Sequence, residues 1–480
     1  MELGGRYGAD HLARIVEEEV NRLDVQTLEA AYRGSGSPPH RPDLMLKIVL
    51  FEYLDGRPSP AHWHRDTRDH QALQWLGRGI VPSRTAWYDF RDRMGSVIEA
   101  LHAQLIGQAQ VDELLPVHVG VQDGSTFRAN ASRHRLVNRA TLEKRQSVLQ
   151  AATERDLAEQ PVDEGPAWMA RTPAGRREQA QRMQQAWKIL GERTAENAKK
   201  PKDKRRDENH IQVSLSDPQA PLGRDKEKVF CPLYTAQFLV EPNSLLVIGW
   251  DVFAQATDTG TLLPIIDGAQ RIVGGKLQKI VADAAYATLL DLQGCQKRKI
   301  ELIAPVQENS FTQQKRAAAD KQRSNRDQFV WLAELATYRC PQGYTLTYRG
   351  KERKRRHGDQ HVVEHRYHCP PQHCRACPQA SGCVRDPNKG RTIKRLEGQE
   401  LLDAQRAKMQ RPEIKAEYRQ RGPVIERAFA DAKRHRNFRQ LHGRGLDRAK
   451  AEIGLLVLAQ NLLMIHRCRK TTTNHRDHPP

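Results

Sequence analysis

Apolar residues recur every three or four positions over the first hundred residues, which is the pattern of helices with one buried face. The predicted helices cover residues 11–23, 42–53 and 83–94. Asp43 and Ser83 are predicted N-caps, and Pro42 and Pro82 mark the entries to two of these helices. We therefore expect residues 1–110 to form an all-α N-terminal domain.

Beyond residue 116 the apolar residues alternate with other residues, as in a strand with one buried face. The stretch Val117–Val121 follows this pattern, and we expect Asp123 and Gly124 to end the strand. A second apolar strand is predicted to end at Asp283. Further strand-like runs cover residues 210–217, 230–241, 244–252 and 301–307. Two strands thus carry an aspartate where each is expected to end.

Helical patterns lie between and after these strands. They cover residues 141–160, 175–198, 257–272, 401–410, 424–435 and 449–468. The last is apolar over most of its circumference, so we expect it to be buried against a sheet. The best fold class is α/β, with a mixed sheet and flanking helices.

An insertion is predicted to divide the α/β domain into two parts. The α/β domain begins over residues 111–309, with a helical insertion at about 140–205, and returns over residues 401–469. A basic, cysteine-rich insertion is expected at residues 310–400, and a disordered tail at residues 470–480.

The net charge of the chain favours one class of binding partner. The chain has 78 Lys and Arg residues against 58 Asp and Glu, a net charge of +20. Such a surplus favours a polyanion, and nucleic acid is the leading partner. The sequence shows no run of about 18 apolar residues and no signal-peptide pattern at the N-terminus. We therefore expect a soluble, intracellular protein without a membrane segment.

Two basic segments are candidate DNA contacts. The predicted helix at 83–94 carries Arg84, Arg91 and Arg93 among aromatic residues, which suits a helix-turn-helix-like module. An ordinary helical bundle with an aromatic core explains that helix equally well. The second segment contains Lys199, Lys200, Lys202, Lys204, Arg205 and Arg206. It is either a solvated loop or a grip on a phosphate backbone.

A third acid lies in a charged helical segment near the C-terminus. Pro423 suits the first position of a helix, which places Glu426 in the opening turn, where the helix dipole favours an ionised carboxylate. Lys433 follows by almost two turns, near the same face. Tyr418 and Arg421 come just before. By composition alone, a solvated helix is the simpler interpretation.

This order of parts resembles the DDE transposases of bacterial insertion sequences, which have a ribonuclease-H-like core. Residues Tyr418, Arg421, Glu426 and Lys433 resemble the tyrosine–arginine–glutamate–lysine signature of one large branch. The Tyr–Arg and Glu–Lys spacings match that signature. Four residues separate Arg421 from Glu426, whereas the signature has three. The resemblance extends over the helical N-terminal region, both strand aspartates and the closing apolar helix.

The resemblance implies a chemistry for each of these residues. Asp123 would bridge two divalent ions, Mg²⁺ or Mn²⁺, with Asp283 and Glu426 each holding one side. Arg421 and Lys433 would neutralise nearby phosphates, and Tyr418 would position the DNA backbone. Carboxylates brought this close repel one another, so without metal one of them should hold a proton.

The resemblance also implies the biology. The protein would bind the terminal inverted repeats of its own mobile element, cut there and join the ends to target DNA. It would act in the bacterial cytoplasm at the nucleoid, as a homodimer on double-stranded DNA. Rival interpretations are an inactive or domesticated DNA-binding descendant, a nuclease of the same fold, and a zinc-dependent adaptor protein.

Four cysteines stand within fifteen residues of the predicted insertion: Cys369, Cys374, Cys377 and Cys383. Cys374 and Cys377 form a C-x-x-C pair, and Cys340 lies upstream. A reduced protein with this cluster is a candidate for a tetrahedral zinc site, and free thiols on a DNA-contacting subdomain are the alternative. The other three cysteines are expected to be plain structural thiols: Cys231, Cys295 and Cys468.

Overall fold

The computed structural model describes residues 7–32, 40–160, 162, 165–200, 202, 205–275, 277–307, 328–355, 361–384 and 386–477. Lys204 of the basic segment and residues 308–327 of the predicted insertion lie outside them, as do residues 478–480 of the predicted tail. The chain divides into two compact units. The first comprises Met1–Tyr286, Lys299–Leu302 and Glu417–Pro480, and the second comprises Ala287–Arg298 and Ile303–Ala416.

The N-terminal part of the first unit is helical, as predicted. Its helices are α1 (Leu12–Asn21), α2 (Gln26–Ala30), α3 (Pro42–Leu54), α4 (Pro60–Asp69), α5 (Gln71–Leu76), α6 (Arg84–Met94) and α7 (Ile98–Val111). Ser83 caps α6 as expected, because its side chain accepts a hydrogen bond from the Ala86 backbone N–H. The prediction for Asp43 is wrong: α3 begins at Pro42, so Asp43 lies inside the first turn.

A mixed sheet of six strands forms the centre of the first unit, which confirms the α/β class. The strands are β1 (Val119–Arg128), β4 (Leu222–Arg224), β5 (Phe230–Val240), β6 (Val247–Phe253), β7 (Lys279–Ala282) and β8 (Glu301–Ile303). Their order is β4-β5-β1-β7-β8, and β6 pairs with β5. Strand β1 runs antiparallel to β5 and parallel to β7. Strand β5 is buried from Cys231 onward, which explains its nearly continuous apolar run.

Two helices pack on β6 of this sheet. They are α10 (Leu262–Val273), which packs on β6, and α17 (Leu446–Asp477), which packs on β6, α3 and α7. Gly454 lets α17 approach closely, because a Cβ there would lie 2.6 Å from the Trp250 ring and 2.5 Å from Ile98. By length and composition Leu446–Thr471 passes as a membrane span, but 83% of its apolar window is buried inside the protein. The helix therefore serves as the core helix predicted for this segment.

A helical hairpin projects from the first unit with its own apolar cluster. It consists of α8 (Arg139–Leu157) and α9 (Pro173–Ala198), and the short strands β2 (Leu136–Val137) and β3 (Val213–Ser214) pair at its base. Leu149, Met183 and Leu190 are buried between the helices. This arrangement agrees with the two long helices that the sequence predicts.

The second unit is built from small sheets and short helices. They are α11 (Leu289–Lys297), β9 (Val330–Leu332), β10 (Thr337–Arg339), β11 (Thr347–Arg355), β12 (His361–Cys369), α12 (Pro371–Arg375), α13 (Ala380–Cys383), β13 (Arg391–Leu396) and α14 (Gln399–Lys408). Strands β11, β12 and β13 form an antiparallel sheet. Helix α15 (Pro412–Arg419) leads out of this unit, and α16 (Arg421–Ala430) belongs to the first.

The ends of some elements differ from the predictions. Of the strand predicted at 210–217, only Val213–Ser214 is extended. Helix α17 continues to Asp477, through most of the segment predicted to be a disordered tail. A π-helical turn, Asp431–His435, follows α16 where the sequence predicts a continuous helix.

One buried acid in α3 makes the stability of the protein depend on pH. Glu52 is fully buried, and burial raises its pKa from the ordinary 4.5 to about 8 even though Arg57 lies 3.6 Å away and opposes the shift. The folded state therefore keeps the proton of Glu52 at pH values where the unfolded state has lost it. Stability should fall as the pH rises from about 4.5 to about 8.

We expect Glu52→Gln to remove this dependence and to raise the free energy of unfolding by roughly 1–3 kcal/mol above pH 8, because an uncharged amide replaces a buried carboxylate. Urea unfolding at a series of pH values measures the effect. Glu192→Gln, on the exposed face of α9, is the matched control and should leave the curve unchanged. Parallel pH curves for wild type and Glu52→Gln would contradict the assignment.

Candidate active site

Asp123 lies in the middle of β1, not at its end. The strand continues to Arg128, and Asp123 pairs with Phe238 of β5 in the antiparallel register. The prediction that Asp123 and Gly124 end the strand is therefore wrong. An Asp–Gly pair is a turn signal in isolation, but here β5 supplies a full set of partners as far as Leu233.

Asp283 directly follows β7, as the sequence predicts. The parallel register of β1 and β7 ends at the pair Gln122–Ala282, so Asp123 and Asp283 are the next residues on neighbouring strands. Neighbouring strands lie about 4.8 Å apart. Burial and the nearby charge of Asp123 raise the pKa of Asp283, although the Ala285 backbone N–H donates to its carboxylate at 2.7 Å. The carboxyl groups of Asp123 and Asp283 therefore lie close together in a partly buried environment.

Arg421 supplies a positive charge to this pair. Its guanidinium donates to Asp123 Oδ2 at 2.9 Å and lies 5.8 Å from the centre of the Tyr418 ring. Burial alone would lower the pKa of Arg421, but the Asp123 charge and hydrogen bond outweigh it and raise that pKa. Arg421 is the first residue of α16, so the helix begins at the carboxylate it neutralises.

Glu426 is carried by the same helix but is exposed to solvent. Because α16 begins two residues before Pro423, Glu426 lies in the second turn, and its predicted place in the opening turn is wrong. The helix is oriented by Phe429, whose ring stacks on Phe238 at 4.6 Å, and by the buried Ile425. Glu426 follows Ile425 by one residue, about 100° around the helix.

The three predicted acids do not converge on a single point. Within the described ranges, three ligand atoms that all lie within 4.8 Å of one another occur at Glu18, Glu19 and His466, not at Asp123, Asp283 and Glu426. The Glu19 group is an ion-pair cluster, since Glu19 already bonds Arg469. Two ions about 4 Å apart, each with ligands at about 2.1 Å, allow outer ligands up to about 8 Å apart. The structure thus joins Asp123 to Asp283 and leaves Glu426 at the surface.

A further acid, which the sequence did not single out, lies against Gly124 of β1. Asp258 is half-buried in the loop between β6 and α10, and a Cβ added to Gly124 would overlap its carboxylate. Gln237 Nε2 donates to Asp258 at 2.6 Å, and the Tyr286 hydroxyl donates to Gln237 Oε1 at 2.6 Å. Burial, together with the charges of Asp123 and Asp283, raises the pKa of Asp258. No strand precedes Asp258 directly, so no pattern distinguished it.

Lys433 fixes the part of β1 that follows Asp123. Its ammonium donates to Ser125 Oγ at 2.7 Å and to the Thr126 carbonyl at 2.8 Å, and it lies 4.6 Å from the centre of the Phe127 ring. Burial lowers the pKa of Lys433 to about 8. Lys433 is therefore anchored on the strand that carries Asp123.

The predicted DNA contacts fall into two groups. Arg84 is exposed, and Arg93 is exposed with its guanidinium over the Tyr32 ring. Arg91 is only 4% exposed and pairs with Asp92 and Glu452, so its prediction as a DNA contact is wrong. Four predicted basic residues of the segment after α9 are exposed: Lys199, Lys200, Arg205 and Arg206.

The cysteine cluster lies in the second unit around one small cavity. The cavity is lined by Cys340, Cys369, Cys374, Cys377 and Cys383 among other residues. Burial, a hydrogen bond with Cys374 and the proximity of Cys340 and Cys383 raise the pKa of Cys369 to about 12. Cys340 thus belongs to the same cluster, although it lies far upstream in the sequence.

Gly124 permits the close approach of Asp258 to β1, and we expect Gly124→Ala to destabilise the protein by about 1–3 kcal/mol because its Cβ would overlap both Asp258 and Gln237. Gly191→Ala is the control: its Cβ would meet nothing within 4 Å in the interior of α9, and it should stabilise by about 0.5–1 kcal/mol. Urea unfolding of both variants measures the difference. Equal changes in the free energy of unfolding for the two variants would show that the loop carrying Asp258 moves to accommodate a Cβ at position 124 without cost.

Two protein families match parts of the chain. A model described as a transposase DDE domain matches residues 339–466, and a model described as a transposase domain matches residues 2–93. The first range includes Tyr418, Arg421, Glu426 and Lys433. No curated protein and no solved structure matches the chain. The two family matches support a DDE transposase, a class of enzyme that acts on DNA and generally uses divalent metal ions.

Proposed function

We propose that this protein is the transposase of a bacterial insertion sequence. It binds the terminal inverted repeats of its element and catalyses metal-dependent DNA cleavage and strand transfer. The observation that carries the proposal is the pair Asp123 and Asp283, held side by side on parallel strands, with Arg421 bonded to Asp123. The mixed sheet with helices on it is consistent with a ribonuclease-H-like core.

The carboxylates suit a divalent metal. Burial raises the pKa of Asp283 and Asp258, and like charge adds to that shift, so a cation placed among the acids would relieve both desolvation and repulsion. Two Mg²⁺ or Mn²⁺ ions, when bound, would stabilise charge on the attacking and leaving oxygens of a phosphodiester. Asp123 and Asp283 would hold them from the sheet, and the exposed Glu426 from the side of α16.

The basic residues of the site would bind and neutralise the DNA phosphates. In the protein without DNA, Arg421 donates a hydrogen bond to Asp123 and neutralises its charge. When metal ions occupy the carboxylates, Arg421 would instead donate part of its hydrogen bonds to the scissile phosphate. Lys433 keeps the backbone after Asp123 in place, and an approaching phosphate would favour its charged form. Tyr418, beside Arg421, would orient the strand being cut.

The remaining parts of the proposal concern binding. Exposed basic residues would grip the phosphate backbone: Arg84, Arg93, Lys199, Lys200, Arg205 and Arg206. Pairing of two element ends calls for a homodimer on DNA, acting at the nucleoid in the cytoplasm. The net charge of +20 supports a polyanionic partner.

We expect Asp123→Asn, Asp283→Asn and Glu426→Gln each to reduce Mg²⁺-dependent cleavage of a labelled element end by at least about 100-fold, since even partners of metal ligands contribute 10–100-fold. DNA binding in a gel-shift assay should persist, because the amides keep the shape of the site. Asp69→Asn, exposed on α4, should cleave like wild type.

A strand-transfer assay on the same proteins separates a transposase from a nuclease of the same fold, since only a transposase joins the cut 3′ end to target DNA. Full cleavage by all three site variants would refute the assignment of the acids. Binding without any cleavage by wild type would favour an inactive descendant.

We also propose a structural zinc ion in the second unit. The donor set fits: the thiols of Cys369, Cys374 and Cys383 line one cavity, and Cys377 and Cys340 line the same cavity as candidates for the fourth position. These sulfur atoms are not drawn together as a tight set among the described residues. Four of these sulfur atoms would hold the ion as thiolates, and the ion would link the segments that carry them.

We expect one zinc per chain, lost in Cys374→Ser and retained in Cys468→Ser, because Cys468 lies in the first unit. Metal analysis of purified protein and the thiolate absorption of the Co²⁺-substituted form measure this. Parallel Cys340→Ser and Cys377→Ser variants identify the fourth ligand. Zinc-free wild type that cannot be loaded with Co²⁺ would overturn the proposal.

A further inference from the structure

Gln460 is a buried amide in α17, a helix that is apolar over most of its circumference. Its Nε2 donates to the Ala428 carbonyl at 3.1 Å and to Asp431 Oδ2 at 3.0 Å. Its Oε1 is buried and has no hydrogen-bond partner among the described residues. A buried polar atom without a partner destabilises a fold, so the presence of this amide calls for an explanation.

The two bonds of Gln460 lie where α16 changes into the π-helical turn Asp431–His435. Ala428 belongs to the last turn of α16, and Asp431 is the first residue of the π-helical turn. Such turns are rare and frequently occur at functional sites. A side chain that inserts into the backbone hydrogen-bond ladder is one cause of a departure from α-helical geometry. Gln460 is such a side chain, because it bonds a carbonyl of the helix and the residue three positions later.

The position of Lys433 depends on this turn. Lys433 lies in the middle of it, and its ammonium reaches Ser125 Oγ and the Thr126 carbonyl of β1. The stacking of Phe429 on Phe238 fixes α16, but it comes before the turn. One residue of register corresponds to about 100° around a helix axis. A shift of the turn to α-helical register would therefore direct the Lys433 side chain away from β1.

Asp431 joins the turn to two other elements of the first unit. Arg436 Nε donates to Asp431 Oδ2 at 3.1 Å, and another nitrogen of the same guanidinium donates to the Leu54 carbonyl at the end of α3. That connection lies after the turn in sequence. Gln460 supplies the connection to α17, and it contacts the junction with α16 itself. The start of the turn is thus held by Gln460.

We propose that Gln460 is a positioning residue for Lys433: its amide fixes the start of the π-helical turn and so holds the lysine on β1, close to the candidate site. The inference rests on the proposed function, which assigns Lys433 to the DNA phosphates, and deepens it. The described hydrogen bonds of Gln460 are to Ala428 and Asp431, inside the protein. Loss of the amide should therefore slow cleavage and leave DNA binding unchanged.

The first test is Mg²⁺-dependent cleavage of a labelled element end by Gln460→Leu. Leu suits an apolar helix and removes the unpartnered Oε1 together with the two bonds, so the thermal unfolding midpoint should stay near that of wild type. We expect kcat to fall at least about tenfold with KM for DNA unchanged, since a displacement of about 1 Å can cost about 100-fold. Gln460→Glu keeps the shape, lacks the amide donor and should lose kcat in the same way.

Asn461→Leu is the matched control. Asn461 is the next residue of α17, is also a buried amide, and bonds the backbone N–H and carbonyl of Val247 on β6 at 2.9 and 2.8 Å. Its replacement should lower the unfolding midpoint and leave kcat per folded molecule unchanged, because these bonds do not involve the π-helical turn. A merely structural role for Gln460 would give the same pattern in Gln460→Leu.

Acetylation of Lys433 measures its position without a cleavage assay. The DNA-free protein is treated briefly with acetic anhydride, and peptide mass spectrometry compares Lys433 with Lys144, which is exposed on α8. We expect Lys433 to react faster in Gln460→Leu than in wild type, because the ammonium is released from β1. In Asn461→Leu it should react at the wild-type rate.

The outcomes separate this inference from the proposed function. Unchanged acetylation of Lys433 in Gln460→Leu would overturn the inference, whether or not kcat falls, because the lysine would not have moved. Normal cleavage by wild type would in that case leave the transposase proposal intact. A wild type that binds DNA but never cuts it, with faster acetylation in Gln460→Leu, would contradict the proposed function and retain the role of Gln460 in positioning Lys433.

Discussion

The parallel pairing of β1 with β7 is the constraint on which the candidate site depends. It places Asp123 and Asp283 on neighbouring strands at the same level of the sheet, each directly after the last paired residue. Backbone hydrogen bonds hold this register, so the repulsion between the two carboxylates cannot relax by moving them apart. The repulsion adds to the burial that raises the pKa of Asp283. Arg421 places a positive charge against Asp123.

The surrounding side chains make this unfavourable arrangement rigid. Phe429 stacks on Phe238, the β5 residue opposite Asp123, and so the helix that begins at Arg421 is fixed above the acids. On the far side of Asp123, Lys433 holds the strand at Ser125 and Thr126. Preorganised charge of this kind is expected of an active site, because an enzyme gains little from groups that must first be ordered.

The sequence was most informative where a pattern was long and local. Three of the N-terminal helices (α1, α3 and α6), the hairpin α8–α9, the buried helix α17 and the strand before Asp283 follow from periodicity, whereas α2, α4, α5 and α7 were not predicted individually. Asp123 was found for its residue type, but the continuation of β1 was missed because β5, far along the chain, supplies the partners. Arg91 looked like a surface cation until Glu452, distant in sequence, proved to lie beside it. No local sequence pattern identified Asp258, because its contact with Gly124 is visible only in the folded protein.

The hydrogen bond between Arg421 and Asp123 spans 298 positions of the chain. A ribosome makes the two strand aspartates first, then most of the second unit, and only afterwards the helix that neutralises them. During that interval the nascent sheet carries two adjacent acids without their arginine. The candidate site is therefore completed late in synthesis, and a chain truncated before residue 421 would lack Arg421 and Glu426 together.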